Sequence, residues 1–208
     1  MNESLIRIEE GNRLKNLFSG GLIELDVLWG ENRKALSDTW KKAQETSDAL
    51  KDMKSFYALH NLSPVPQAYA KLFAYLGLIE GLGISLIDIT LLLLIANGRH
   101  VHFRKGGGMM HVSRLRDLHK LNLLYKLEFL EAQEFGFVSK IVDRNLRNSI
   151  AHLSFTITNE GQILGADNNE INIDSEIEVF WKRVREIITI FDEGGLLRFI
   201  REEVKKHE

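Results

Sequence analysis

The chain contains no cysteine, which excludes disulfides and thiolate metal sites and fits a reducing cytoplasm. It has only 2 prolines, so little in it interrupts helices, and its many leucines lean the class toward α. A membrane-length apolar run is also missing. The most hydrophobic stretch, LGISLIDITLLLLIA at 82–96, is interrupted by Asp88 and falls short of the roughly 20 residues a bilayer requires, so a buried core helix is expected there. Positive charge is not in excess: 27 Lys and Arg face 29 Asp and Glu, so any nucleic-acid contact must be local. The first residues, MNESLIRIEE, lack a basic segment followed by an apolar core, and a cytoplasmic protein without a secretory signal is expected.

A length of 208 residues suits one well-cored domain with an appendage. Apolar residues recur at helical spacing from Leu22 to about Leu59, with Trp29, Leu36, Ala43, Leu50 and Tyr57 seven apart. Such a helix would reach on the order of 55 Å, so residues 1–61 read as a helical extension that serves as a dimer or partner arm. Trp29, Leu36 and Trp40 are packing or dimer contacts in this reading. LSPVPQ at 62–67 ends the element, and residues 62–208 form the domain proper. A core helix follows from about Gln67 to Asn97, with Gly77, Gly81 and Gly83 allowing close approach of a neighbour and Gly98 as the stop.

RHVHFRKGGGMMHV at 99–112 has three consecutive glycines and no helical period, and is expected to be a loop, with a short strand at most. A long helix capped by Ser113 and kinked at Gly136 is expected to run on to His152. Short alternating runs around Asn159-Glu160 and Asp167-Asn168-Asn169 predict a small β-hairpin or flap. Ser175 with Glu178 resembles a capping box for a helix over about 176–191.

The pattern Arg, four to six residues, His occurs at Arg104/His111, Arg114/His119, Arg147/His152 and Arg201/His207; with this many arginines and histidines roughly one match arises by chance, so context must choose. Only RNSIAH, 147–152, has Asn directly after the arginine and lies inside a strongly amphipathic stretch. Extended to IVDRNLRNSIAHLSF, it resembles the active-site motif of the HEPN superfamily (higher eukaryotes and prokaryotes nucleotide-binding), over roughly residues 68–192. The resemblance implies a mainly α, up-and-down helical bundle with a small flap behind the motif helix, pairing as a homodimer so that two motif helices face each other. It further implies a metal-independent endoribonuclease without cofactor, of a kind often found as a toxin or antiviral effector, for which a cognate antitoxin is a candidate partner. Arg147 then matches the motif arginine, Asn148 its polar position and His152 its histidine.

The residue types suit that chemistry. RNA cleaves when its 2′-hydroxyl is deprotonated and aligned on the adjacent phosphorus; imidazole suits the proton transfers and a forked guanidinium suits the added negative charge. Asn148 and His152 lie one turn apart on one helix face and Arg144 extends that stripe, whereas Arg147 lies about 140° round from His152. Convergence at a two-fold axis is therefore expected. The plain alternative has Arg147 and His152 as cations favoured near a helix C-terminus, in a binding scaffold for RNA, nucleotide or protein that does not cut.

Arg99 to Lys120 carries six Lys or Arg against one acid, so Arg104, Lys105, Arg114 and Arg116, with Arg144, are candidate phosphate-backbone contacts. His100, His102 and His111 lack a fourth ligand, and no metal is expected. Lys105 precedes its glycines, so this is not a P-loop, and Asp167-Asn168-Asn169-Glu170 is a turn rather than a calcium loop.

Overall fold

The computed structural model describes residues 9, 11–17, 37–49, 52, 62–99, 101–105, 108–112, 115–118, 121–198 and 202. For 101–105, 108–111 and 115–116 it describes the backbone alone. The described chain is mainly α-helical, with two antiparallel two-stranded hairpins.

Its axis is one helix, Pro64–Ala96, in three parts: α1 (Pro64–Leu78), a π-helical turn (Ile79–Gly83) and α2 (Ile84–Ala96). Extended Ser63 followed by proline in the first turn starts it, since the missing proline donor costs nothing there. Gly98, at φ 73°, ends it by letting Arg99 N–H reach the Leu94 carbonyl at 2.9 Å. Every residue from Ser85 to Ala96 is buried, so α2 is covered on all sides. Its polar groups are satisfied internally: Ser85 Oγ donates to the Gly81 carbonyl at 2.5 Å, Thr90 Oγ1 to that of Leu86 at 2.9 Å, and Lys126 Nζ to Asp88 Oδ1 at 2.6 Å. The whole helix is long and apolar enough to cross a membrane, and 89% of its most apolar window is buried inside the protein.

Two expectations are corrected after Gly98. Instead of a loop, the chain forms a hairpin of β1 (Val101–Lys105) and β2 (Gly108–Val112), in which Val101 pairs with Val112 and His102 with His111. Two glycines between β-forming runs are a hairpin signal, which the missing helical period had concealed. The long helix to His152 is in fact four short ones: α3 (Leu115–Leu118), α4 (Leu123–Ala132), α5 (Gly136–Ser139) and α6 (Arg144–Ala151). Side-chain and backbone caps divide it. Asn122 Oδ1 accepts from Tyr125 N–H at 3.1 Å, Asp143 Oδ1 accepts from Leu146 N–H at 2.9 Å, and Glu134 at φ 65° turns the chain between α4 and α5. Ser113, the expected cap, lies outside the described residues.

The expected flap is present: β3 (Phe155–Ile157) pairs with β4 (Ile163–Gly165), and Leu164 bridges to Glu170. Gly161, at φ 83°, seats the flap turn on α1, because a Cβ there would lie 2.8 Å from the Pro64 carbonyl oxygen. The last long helix, α7 (Ile173–Glu193), is capped three residues before the expected position: Asn172 Oδ1, not Ser175, caps it, accepting from Ser175 N–H at 3.1 Å.

Ile173, Phe180, Val184, Ile187 and Phe191 form the buried face of α7. Leu14, Leu17, Trp40 and Ala43 belong to the same core, so the described parts of the N-terminal third pack onto the domain. Residues 37–49 of the expected 22–59 helix are helical; Trp29, Leu36, Leu50 and Tyr57 lie outside the described residues.

Candidate functional site

The motif occupies α6, an eight-residue helix that Asp143 caps and that Ile150 anchors, 1% exposed, with Leu146 packed behind it. Beneath its start lies Tyr75 of α1, 2% exposed; burial, then the nearby carboxylates of Glu176 and Asp143, push its phenol well above the ordinary tyrosine range against the pull of Arg183. The helix closes with a turn that usually takes glycine: Leu153 N–H donates to the Ile150 carbonyl at 3.1 Å and Ser154 N–H to that of Ser149 at 2.7 Å, around Leu153 at φ 54°. A leucine there bears a backbone cost of about 1–2 kcal/mol.

Arg147 lies mid-helix, not near the C-terminus, so the helix dipole does not account for it. Its guanidinium turns to the core helix. Nε donates to Glu80 Oε1 at 2.6 Å, Nη2 makes a short ion pair with the same carboxylate, and Nη1 donates to Asn148 Oδ1 at 3.1 Å. The pair is half-open, with the Arg147 and Glu80 side chains 27% and 40% exposed. The Nε and Nη2 edge thus converges on one oxygen of Glu80, while the remaining Nη hydrogens are available to an anion.

Glu80 is the site residue that sequence reasoning missed, and it stands in the π-helical turn. Such turns give a helix one looser winding and often mark sites. This one is held from behind. Lys42 Nζ donates to the Glu80 carbonyl at 3.2 Å, and a Cβ on Gly81 would fall 2.1 Å from Thr46 Oγ1, so the 37–49 helix packs directly onto glycine backbone. Gly83 has Phe180 and Val142 at 3.2 and 3.3 Å from its Cβ position. The expected close approach thus occurs at Gly81 and Gly83, while Gly77 faces open space.

His152 is the C-cap of α6, is exposed, and makes no side-chain hydrogen bond among the described residues. Its N–H closes the last turn on the Asn148 carbonyl at 2.9 Å. One chain therefore joins Glu80, Arg147 and Asn148 and sets His152 one turn beyond them, with no polar contact between Arg147 and His152. Arg144 is exposed at the start of α6. Of the other cationic candidates, Arg104 and Lys105 are in β1 and Arg116 in α3, with side chains outside the described set, and Arg114 lies outside the described residues altogether. The backbone register sets His102 opposite His111; His100 lies outside the described residues.

An open groove of about 320 Å³ lies elsewhere, between the start of α1, the flap and the start of α7. Glu160, Glu170 and Asp174 line it, Lys71 is its one cation among the described residues, and Asp174 holds that lysine at 2.5 Å, so it is poorly suited to a phosphate. Comparison of the chain with protein-family models, with curated proteins and with solved structures found no match.

Proposed function

We propose that the chain is a HEPN-like, metal-independent endoribonuclease that cuts single-stranded RNA as a homodimer, with Arg147 and His152 from both copies forming the site. The observation that carries this reading is the pairing of an arginine fixed by Glu80 and Asn148 with an exposed, uncommitted imidazole that caps the end of the same short helix. A two-fold arrangement of α6 supplies the convergence that one chain lacks.

In the reaction the 2′-hydroxyl loses its proton and its oxygen attacks phosphorus. The P–O5′ bond breaks, the departing 5′-oxygen takes up a proton, and the products are a 2′,3′-cyclic phosphate and a 5′-hydroxyl. His152 is assigned the proton transfers and Arg147 the charge on the pentacoordinate phosphate. Glu80 is a positioning residue: it orients the guanidinium without touching RNA. The setting is a cytoplasmic toxin or antiviral effector, restrained by a cognate antitoxin.

The test is cleavage of end-labelled RNA in EDTA by the wild type, Arg147→Ala and His152→Ala, with product ends mapped. Cyclic-phosphate ends that vanish in both variants are expected; intact RNA, or equal cleavage by the variants, overturns the reading.

A second reading is favoured by the Glu80–Arg147 pair itself, since a neutralised arginine also suits a non-catalytic scaffold that binds RNA, nucleotide or protein. Under it, Glu80→Gln leaves RNA unprocessed while only binding changes.

A further inference from the structure

Few large apolar side chains stand exposed in the described chain, and three of them adjoin the motif helix. Tyr69 and Phe73, 42% and 51% exposed, lie one turn apart on α1, their rings 6.4 Å apart between centroids and 19° from parallel. Phe155, half-buried at the start of β3, backs Tyr69 edge-on at 6.0 Å. Phe155 is three residues beyond His152, α6 packs across α1, and between them Leu153 is 62% exposed on its left-handed backbone.

We propose that Tyr69 and Phe73 form a stacking platform for the bases of a single-stranded nucleic acid passing His152. Identifying that strand as RNA rests on the nuclease reading; the platform itself rests on the rings. The exposed apolar area is on the order of 100 Å² per side chain, well short of the roughly 800 Å² per partner of a standard protein interface and close to what one or two bases cover. The rings are already aligned and one is buttressed, so little side-chain freedom is lost when a base settles on them. Exposed Arg144, at the far end of α6, supplies the cation that tracks a backbone beside such a platform. Leu153 keeps an exposed side chain at a position where glycine would relieve the backbone, as expected of a residue serving an external contact.

The experiment uses the full chain carrying His152→Ala, so that RNA is bound and not consumed, with fluorescein-labelled 12-nucleotide oligouridylate and oligoadenylate read by anisotropy across a salt series. Adding Tyr69→Ala and Phe73→Ala together is expected to weaken binding at least tenfold with an unchanged salt slope, because stacking releases no counterions. The ring-preserving exchange Tyr69→Phe with Phe73→Tyr is expected to stay within twofold. Phe73→Lys separates the causes: stacking predicts weaker binding, whereas a purely electrostatic site would bind tighter, which overturns the proposal.

Affinity unchanged by the double alanine variant, no binding by the parent, or a variant whose sedimentation mass halves each overturns it; the last would make the patch a self-association surface. RNA that is bound through the rings but never cut by the wild type sinks the nuclease and leaves the platform standing. RNA cut normally by the double variant does the reverse.

Discussion

Two carboxylates on the same core helix each hold a cation from later in the chain, and the contrast between them separates fold from site. Asp88 meets Lys126 with both side chains about 5% exposed, inside a helix covered on every side. Glu80 meets Arg147 at a half-open surface, in the one stretch of that helix wound as a π-turn. The buried pair lies out of reach of solvent and ligand, its desolvation set against its own attraction. Beside the open pair stand an uncommitted imidazole and an exposed Leu153.

The sharpest break in this comparison is Lys126→Ala, expected to cost about 3–5 kcal/mol in urea unfolding because it strips a buried carboxylate of its ammonium partner. Replacing both members, as Asp88→Leu with Lys126→Met, should recover most of that loss. Next come Arg147→Ala and His152→Ala, each expected to lower RNA cleavage at least about 100-fold. Their stabilities separate them: the first loses about 1 kcal/mol with its half-exposed pair, and the second stays within about 0.5 kcal/mol. Gly81→Ala pushes a methyl group into Thr46 and is expected to cost about 1–3 kcal/mol by thermal unfolding. Asp143→Ala removes the cap of α6 for about 1 kcal/mol. The smallest effect is a gain: Leu153→Gly relieves the left-handed backbone, and after the entropy glycine adds to the unfolded chain about 0.5 kcal/mol of stabilisation should remain.

Legibility followed the range of the interactions. The core helix is legible at its end, where Asn97-Gly98 is a local stop, but it starts at Pro64 rather than about Gln67, because prolines that break a preceding element also suit the first turn of the next helix. The flap could be read because its limits too are local. The divisions between 115 and 151 could not, because Asn122 and Asp143 look like ordinary polar positions in a helical pattern until their side chains are seen taking backbone N–H groups. At the site, Arg147, Asn148 and His152 are neighbours in the chain and stood out as a group. Glu80 is 67 residues from the arginine it holds. Its sole local hint is a carboxylate set among Gly77, Gly81 and Gly83 in a mostly apolar helix, where the glycines also have a plain packing role. Nothing in the sequence revealed that Tyr69 and Phe73 stay outside the core, since the same spacing would serve a buried face.

The π-turn at 79–83 also sets a rule for changing the length of this chain. Deleting one residue there would restore regular winding and make a better helix in isolation. Five residues at π winding advance about as far round the axis as four at α winding, so everything beyond the deletion would keep its alignment with everything before it. Tyr69 and Phe73 on one side and Asp88 on the other would keep their faces, while Glu80, inside the turn, would lose its aim at Arg147. Selection for helix regularity and selection for the site therefore pull in opposite directions at this one place, and a one-residue deletion that leaves the fold intact should cost the Glu80–Arg147 pair first.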